Sequence, residues 1–249
     1  MPSDSAIRAS GLLDKASCLI SSDAELAYLT TDAIYHTIEQ ELQVINTHYS
    51  NLIEGHDVPI EMIHAAMSGQ FSDDKNKRNL ELESLAHVDA GYWIAKHAPS
   101  LSNLFSMQLI KRIHYEFYSR LPNSLLDIKD DEGHVVIKVE PGHWRSHGVK
   151  VGQHIPPPPE DIAIMMESFC QVYQLDRLST PMKVIAIFCA HHRLCWIHPF
   201  ADGNGRVIRL LTDATLKGAG IIGLWSLSRG LASSLSKYRY ALAEADNAR

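Results

Sequence analysis

The sequence lacks the marks of several large functional classes. It has only four cysteines, Cys18, Cys170, Cys189 and Cys195, and no two form a CxxC pair, which argues against a zinc knuckle or a thioredoxin-like redox site. There is no HExxH, and the 14 histidines are scattered rather than gathered into a metal-storing tract. Basic residues are not in excess. With a net charge of −6, bulk electrostatics exert no pull toward nucleic acid or an anionic membrane. No apolar run approaches the roughly 20 residues of a membrane span, and the N-terminus lacks the basic segment and apolar stretch of a signal peptide. The expectation is a cytoplasmic protein that binds neither nucleic acid nor membrane. Both common phosphate loops, the Walker A loop and the GxGxxG turn after a strand, are missing. Neither an internal repeat nor a low-complexity tract is visible.

What is present is an ordinary globular composition, 45% hydrophobic and 21% charged over 249 residues, enough for a sizeable core. Most of it reads as helix. Ile34, Ile38, Leu42, Ile45, Tyr49 and Leu52 recur at spacings of three and four and define one apolar face, with Gly55 placed to end the helix. Pro59 then opens a short helix over Ile60–Met67. The polar stretch SGQFSDDKNKRN, residues 68–79, reads as a loop. Leu82, Leu85, Val88 and Tyr92 predict a helix running toward Pro99, and Leu109, Ile113 and Phe117 another before Pro122. Between residues 126 and 151 the pattern changes. HVVIKV alternates and is β-branched, KDDEGH before it offers turn chemistry, and GVKVG is a second short extended segment, so a small β-hairpin region is expected. IPPPPED precedes a helix carrying Ile162, Met165, Met166, Phe169 and Tyr173. MKVIAIFCAHHRLCWI is apolar almost all round, which predicts a central buried helix with Cys189 and Cys195 as buried thiols. A further helix follows GNG, with Gly218 and Gly220 as stop signals. The last residues form a helical run without a stop signal, from which a longer natural chain is expected. The division expected is an N-terminal helical region over residues 1–98 and a core over residues 99–249.

The chemistry concentrates in HPFADGNGR, residues 198–206, between the buried helix and the next one. Gly203, Asn204 and Gly205 would present free backbone N–H groups at a helix N-terminus, where the orphan donors and the helix dipole bind anions. Arg206 and Arg209 lie three apart and share a face of that helix, and two guanidinium forks suit a polyphosphate. Asp202 is a hard oxygen ligand suited to Mg²⁺ bridging phosphates. His198 is placed to act as a general base near neutral pH.

HPFADGNGRVIR closely resembles the signature of Fic-domain proteins, HxFx(D/E)GNGRxxR, with every fixed position met. PGHWR, Pro141 to Arg145, resembles the family's PGxxR segment, and VKVG followed by HIPPPPED resembles its flap and the proline turn behind it. The resemblance runs from about Ser50 to the chain end. It implies a mostly α fold, a helical core with a small β-hairpin flap, and an activity that transfers AMP from ATP to a Ser, Thr or Tyr hydroxyl of a target protein. By resemblance, His198 deprotonates that hydroxyl and Asp202 holds Mg²⁺ between the α- and β-phosphates. Gly203, Asn204 and Gly205 cradle the phosphates, with Asn204 at the α-phosphate, and Arg206 and Arg209 hold the β/γ end. The flap, Val149, Lys150, Val151 and Gly152, pins the target as an added strand. Tyr238 stands where the family often has a tyrosine near the adenine, with core packing as the other reading; Arg239 replaces the tyrosine that usually follows.

SNLIEG, Ser50 to Gly55, resembles the family's inhibitory motif (S/T)xxxE(G/N), again with every fixed position met. The implied role of Glu54 is a salt bridge to Arg209 that denies the arginine to the γ-phosphate of ATP, within one chain. Three alternatives stay open. The chain could remove AMP, transfer another nucleotide, or bind nucleotide without turnover. Gly205 stands where the phosphate-transferring Doc branch has lysine, which argues against that chemistry. The sequence does not name the target and leaves homodimer formation open.

Overall fold

The computed structural model describes residues 2–97, 104–130, 132–222 and 224–247. The expected division at residues 98 and 99 lies outside the described residues. The chain opens with α1 (Asp4–Ala9) and α2 (Leu12–Tyr28), followed by α3 (Asp32–Ile53), α4 (Ile60–Met67), α5 (Lys75–His97) and α6 (Met107–Tyr118). Two short strands, β1 (Asp127–Lys129) and β2 (Val135–Lys138), come next. They are followed by α7 (Ile162–Val172), α8 (Thr180–Ile197), α9 (Asn204–Gly218), α10 (Leu227–Ser233) and α11 (Leu235–Asn247). The mostly helical fold with one small hairpin is as expected.

α8 is the central element, with Val184, Ile185, Ala186, Ile187, Ala190, Leu194 and Ile197 all buried. It packs against α2, α7, α9 and α11. Phe117, Ile113, Met166, Phe200 and Val207 from the surrounding elements complete the main core. Each such side chain contributes about 1.5–3 kcal/mol by leaving water. A smaller cluster of Val44, Val58, Ile63 and Val88 fastens α3 and α4 to α5.

Four local expectations are corrected. The polar stretch 68–79 is not all loop. Asp74 accepts from the backbone N–H of Asn76 and Lys77 through Oδ1, and this side-chain cap starts α5 at Lys75. The partner of β2 is not GVKVG but β1, with Ile128 opposite Ile137. GVKVG supplies only an isolated bridge, in which Val151 and His154 exchange backbone hydrogen bonds across a tight turn. Five residues ending in glycine are too few for alternation to separate a strand from a turn. Ile34, assigned to the apolar face of α3, is 50% exposed. Finally, beside the buried Leu42, Val44 and Ile53, α3 also buries a polar face, made of Asn46, Thr47, Ser50 and Asn51. Thr47 Oγ1 meets His87 Nδ1 at 2.8 Å, and Asn51 Nδ2 donates to Ser84 Oγ at 3.1 Å. The helix lies between neighbours on both sides, so apolar periodicity reveals only one of its contacts.

Candidate active site

α8 ends at His198, and the ending is unusual. His198 takes φ 49 and ψ 62, and it alone among the described non-glycine residues has positive φ. A residue before proline is normally extended, so this conformation costs on the order of 1–3 kcal/mol and has to be held. Arg145, from PGHWR, holds it. Its Nε donates to His198 O at 2.8 Å, its Nη1 to His147 O at 2.9 Å, and its Nη2 to Pro157 O at 2.5 Å and Ile197 O at 3.4 Å. Its backbone N–H donates to Pro199 O. A buried guanidinium beside the carbonyls that end a helix also balances the negative end of the dipole. The loop's His198 ring is thereby fixed. Its Nδ1 faces the Cys195 carbonyl at 3.3 Å; a carbonyl only accepts, so Nδ1 carries the proton and Nε2 keeps its lone pair. Burial, with Arg145 adding its charge against a raising backbone hydrogen bond, holds His198 down to about 4. It is neutral at neutral pH and competent as a base.

The loop closes on itself through Asn204. Its Oδ1 accepts from Phe200 N and its Nδ2 donates to Phe200 O, both at 2.9 Å. With its side chain so engaged, Asn204 offers the α9 terminus its backbone N–H. Gly203 caps α9 at φ 74, and a Cβ there would collide with the Tyr118 ring. A Cβ on Gly205 would collide with Glu54 Oε1. Gly203 is therefore required by its positive φ and the close approach of a ring, whereas at Gly205 the flexible Glu54 side chain would have to move aside. The contact at Gly205 shows that the Glu54 carboxylate lies against the α9 N-terminus, the place where an anion binds.

Glu54 is delivered there by the end of α3. Gly55 N donates to Leu52 O and His56 N to Asn51 O, with Gly55 at φ 92; this is a Schellman ending, with Glu54 as its C-cap. Arg209 Nη2 donates to Glu54 Oε1 at 2.6 Å and to Ser50 O at 2.9 Å, and its Nε donates to Ser50 Oγ at 2.9 Å. Burial pushes the Glu54 carboxyl up, but the charge and hydrogen bond of Arg209 outweigh it and leave the group below its ordinary range. The ion pair expected from SNLIEG is thus formed in the structure.

Arg206 and Arg209 do not point to one place. The buried Arg206 guanidinium donates to Glu83 Oε2 at 3.0 Å, Tyr118 Oη at 3.2 Å and Asp202 Oδ2 at 3.4 Å, and lies over the Phe117 ring. Asp202 also accepts from Tyr118 Oη at 2.7 Å. Burial pushes Asp202 up, yet Arg206 and Tyr118 prevail and keep it ionised below the usual range. One cavity of about 890 Å³ is lined by His198, Gly205, Arg209, Glu54, Tyr238, Val151 and Gly152. Asn204 and Arg206 are buried and do not line it; the Asp202 side chain, also outside its lining, is half exposed, and Val149 and Lys150 precede the turn at its rim. Tyr238 is more than packing. His191 Nδ1 meets Thr212 Oγ1 at 2.8 Å, and that hydroxyl donates to Ile208 O. His191 Nε2 is therefore left to accept from Tyr238 Oη at 2.9 Å. Burial holds His191 down to about 3. Arg239 donates to Ile53 O at 2.9 Å and ties α11 to the end of α3. No set of three metal-ligating side chains occurs among the described residues; a cation held by Asp202 alone would take most of its shell from phosphate and water, as Mg²⁺ can.

Sequence reasoning did not find Glu83, His114, Tyr118 or the grip of Arg145. His114 and Tyr118 stand one helical turn apart on α6, a spacing visible in the sequence but masked by the apolar face of the same helix. None of the described helices is long and apolar enough to cross a membrane.

Residues 104–216 match the family described as Fic/DOC family. A curated protein adenylyltransferase Fic of Drosophila erecta is 37% identical over 143 residues, 56% of this chain and 28% of that protein. The counterpart from Drosophila virilis is 38% identical over the same shares. This alignment spans little more than a quarter of those relatives' length. Among solved structures, a Fic family protein from Desulfovibrio desulfuricans G20 superposes with a TM-score of 0.70 at 18% identity, over 95% of this chain and 67% of that one. Fic-1 (aa134 - 508) from C. elegans superposes with a TM-score of 0.64 at 17% identity, over 95% and 73%; these two show a shared fold. Residues 104–216 are thus similar to the Fic/DOC family, within a fold shared with Fic family proteins of known structure.

Proposed function

We propose that the chain is a protein adenylyltransferase, moving AMP from ATP to a Ser, Thr or Tyr hydroxyl of a target protein and restrained by Glu54 on Arg209. One observation carries this reading: a single cavity holds a neutral His198, the N-terminus of α9, and a buried arginine already occupied by a carboxylate of the same chain.

The chemistry follows from those positions. His198 Nε2 accepts the proton of the target hydroxyl as its oxygen attacks the α-phosphorus. A P–O bond forms there, the bond to the β-phosphate breaks, and pyrophosphate leaves. Backbone N–H groups of Gly205 and its neighbours stabilise the phosphate oxygens, and Arg209 neutralises the γ end. Asp202 would hold Mg²⁺ with the phosphates, which adds charge neutralisation when bound. Arg206 acts from outside the cavity lining, fixing Asp202. The flap residues Val149 to Gly152 dock the target beside His198, and Tyr238 contacts the nucleotide from α11. ATP is the co-substrate, Mg²⁺ the cofactor, and the cytoplasm the compartment.

His198→Ala tests the central role. It should abolish transfer while ATP binding, measured calorimetrically, survives. Loss of binding together with transfer would make His198 structural rather than catalytic. Mass spectrometry of the modified target should show an adenylyl group, and any other added mass would reassign the nucleotide.

A further inference from the structure

We propose that Tyr118 is a positioning residue for Asp202, acting with His114 to aim the carboxylate at a divalent cation on the nucleotide phosphates. The inference rests on the reading above that Asp202 holds that cation. Tyr118 is 1% exposed, and its hydroxyl sits where a phenylalanine would fill the same space. Burying a hydroxyl has a cost unless it is hydrogen-bonded, and here its bonds have a fixed direction. Arg206 Nη2 donates to Tyr118 Oη at 3.2 Å. A guanidinium has no acceptor, so the phenolic proton points the other way, to Asp202 Oδ2 at 2.7 Å. The Asp202 side chain remains half exposed, so it can offer its remaining lone pairs to a cation arriving with a nucleotide.

His114 holds the other half of the same residue. Its Nδ1 accepts from Gly142 N at 2.8 Å, which puts its proton on Nε2, and Nε2 meets Asp202 O at 3.3 Å. The imidazole is stacked between Tyr118, at 4.4 Å and 7°, and Phe200, at 3.9 Å and 10°. Two residues one turn apart on α6 thus set both the backbone and the carboxylate of Asp202. The missing side chain of Gly203 gives the Tyr118 ring its room. Partners of this kind, one step removed from the metal, commonly change its affinity by about 10–100-fold.

The test compares the Glu54→Gly protein, whose arginine is open to ATP, with the same protein carrying Tyr118→Phe. Mn²⁺ binding in the presence of ATP is followed by electron paramagnetic resonance, and ATP binding without metal by calorimetry. Tyr118→Phe should raise the Mn²⁺ concentration for half-saturation about tenfold and change metal-free ATP binding less than twofold. Transfer should recover at high Mg²⁺. His114→Gln, which removes the stack but keeps a donor, should weaken Mn²⁺ in the same direction and serves if Tyr118→Phe does not fold. Unchanged Mn²⁺ binding in a folded variant overturns the role of Tyr118 and leaves Asp202 as read. Absence of Mn²⁺ binding in the Glu54→Gly protein itself overturns the reading of Asp202, and this inference with it.

Discussion

Replacing Glu54 with glycine removes one of three acceptors around the Arg209 guanidinium. The other two, Ser50 Oγ and Ser50 O, remain at 2.9 Å, so the buried arginine is not stranded. Residue 54 caps α3 at φ −82 and ψ −5, where glycine fits, and the fold should survive. A hydrogen bond to a charged group contributes about 1.5–3 kcal/mol. The Glu54 side chain is 35% exposed, and screening by solvent lowers the value of this pair to roughly 1–2 kcal/mol. A nucleotide that places its terminal phosphate on Arg209 must displace the carboxylate first, so this is the affinity it forfeits. Glu54→Gly should therefore tighten ATP about 5- to 30-fold, with transfer rising in parallel. Titration calorimetry of both proteins with ATP and Mg²⁺ measures it. Equal affinity would refute the reasoning, because it would mean that the phosphates never compete for Arg209.

The remaining predictions concern the frame around the loop. Gly203→Ala should lower the melting temperature sharply, at a cost of about 3 kcal/mol or more, because the residue needs positive φ and its Cβ has no room beside Tyr118; thermal denaturation measures it. Arg145→Lys should not rescue Arg145→Ala, since one ammonium cannot reach the four carbonyls that the guanidinium serves. Both variants should lose kcat, with ATP binding largely retained. Acid should unfold the protein early. Burial holds His114 and His191 down to about 3, and lowers His87 as well. Between the ordinary histidine range near 6.5 and those lower values, the unfolded chain binds protons that the folded chain refuses. Stability is therefore complete above that range and falls with pH below it, by about 1.4 kcal/mol per pH unit for each group. Denaturant titrations at stepped pH should show the decline beginning near pH 6, and a flat profile to pH 4 would contradict the burial of these rings.

How much of this was legible in the sequence varied with the range of the interaction. The loop from His198 to Arg206 could be read because its chemistry is contiguous, and its helix boundaries are set by Pro199 and Gly203. The short helix Ile60–Met67 and the ending at Gly55 could be read for the same local reason. The pairing of Glu54 with Arg209 was implied only by resemblance, since no local rule links residues that far apart. What stayed hidden was specified by distant side chains. Glu83 looks like any solvated glutamate of a helix until Arg206 is seen beside it, at 3.0 Å. Arg145 answers backbone carbonyls, which carry no signature of residue type. The polar buried face of α3 runs against the expectation that polar means exposed. GVKVG forms an isolated bridge rather than a strand, because Val149 and Val151 alternate over too few residues for the pattern to decide.

The central claim is that this cavity moves the α-phosphorus of ATP onto a hydroxyl using His198. The most direct measurement incubates the Glu54→Gly protein and a cell lysate with ATP labelled at either the α- or the γ-phosphate, with a Glu54→Gly, His198→Ala double variant as control. Protein should become labelled from α-labelled ATP only, and not by the double variant. Label arriving from the γ-phosphate, or persisting without His198, would contradict the account.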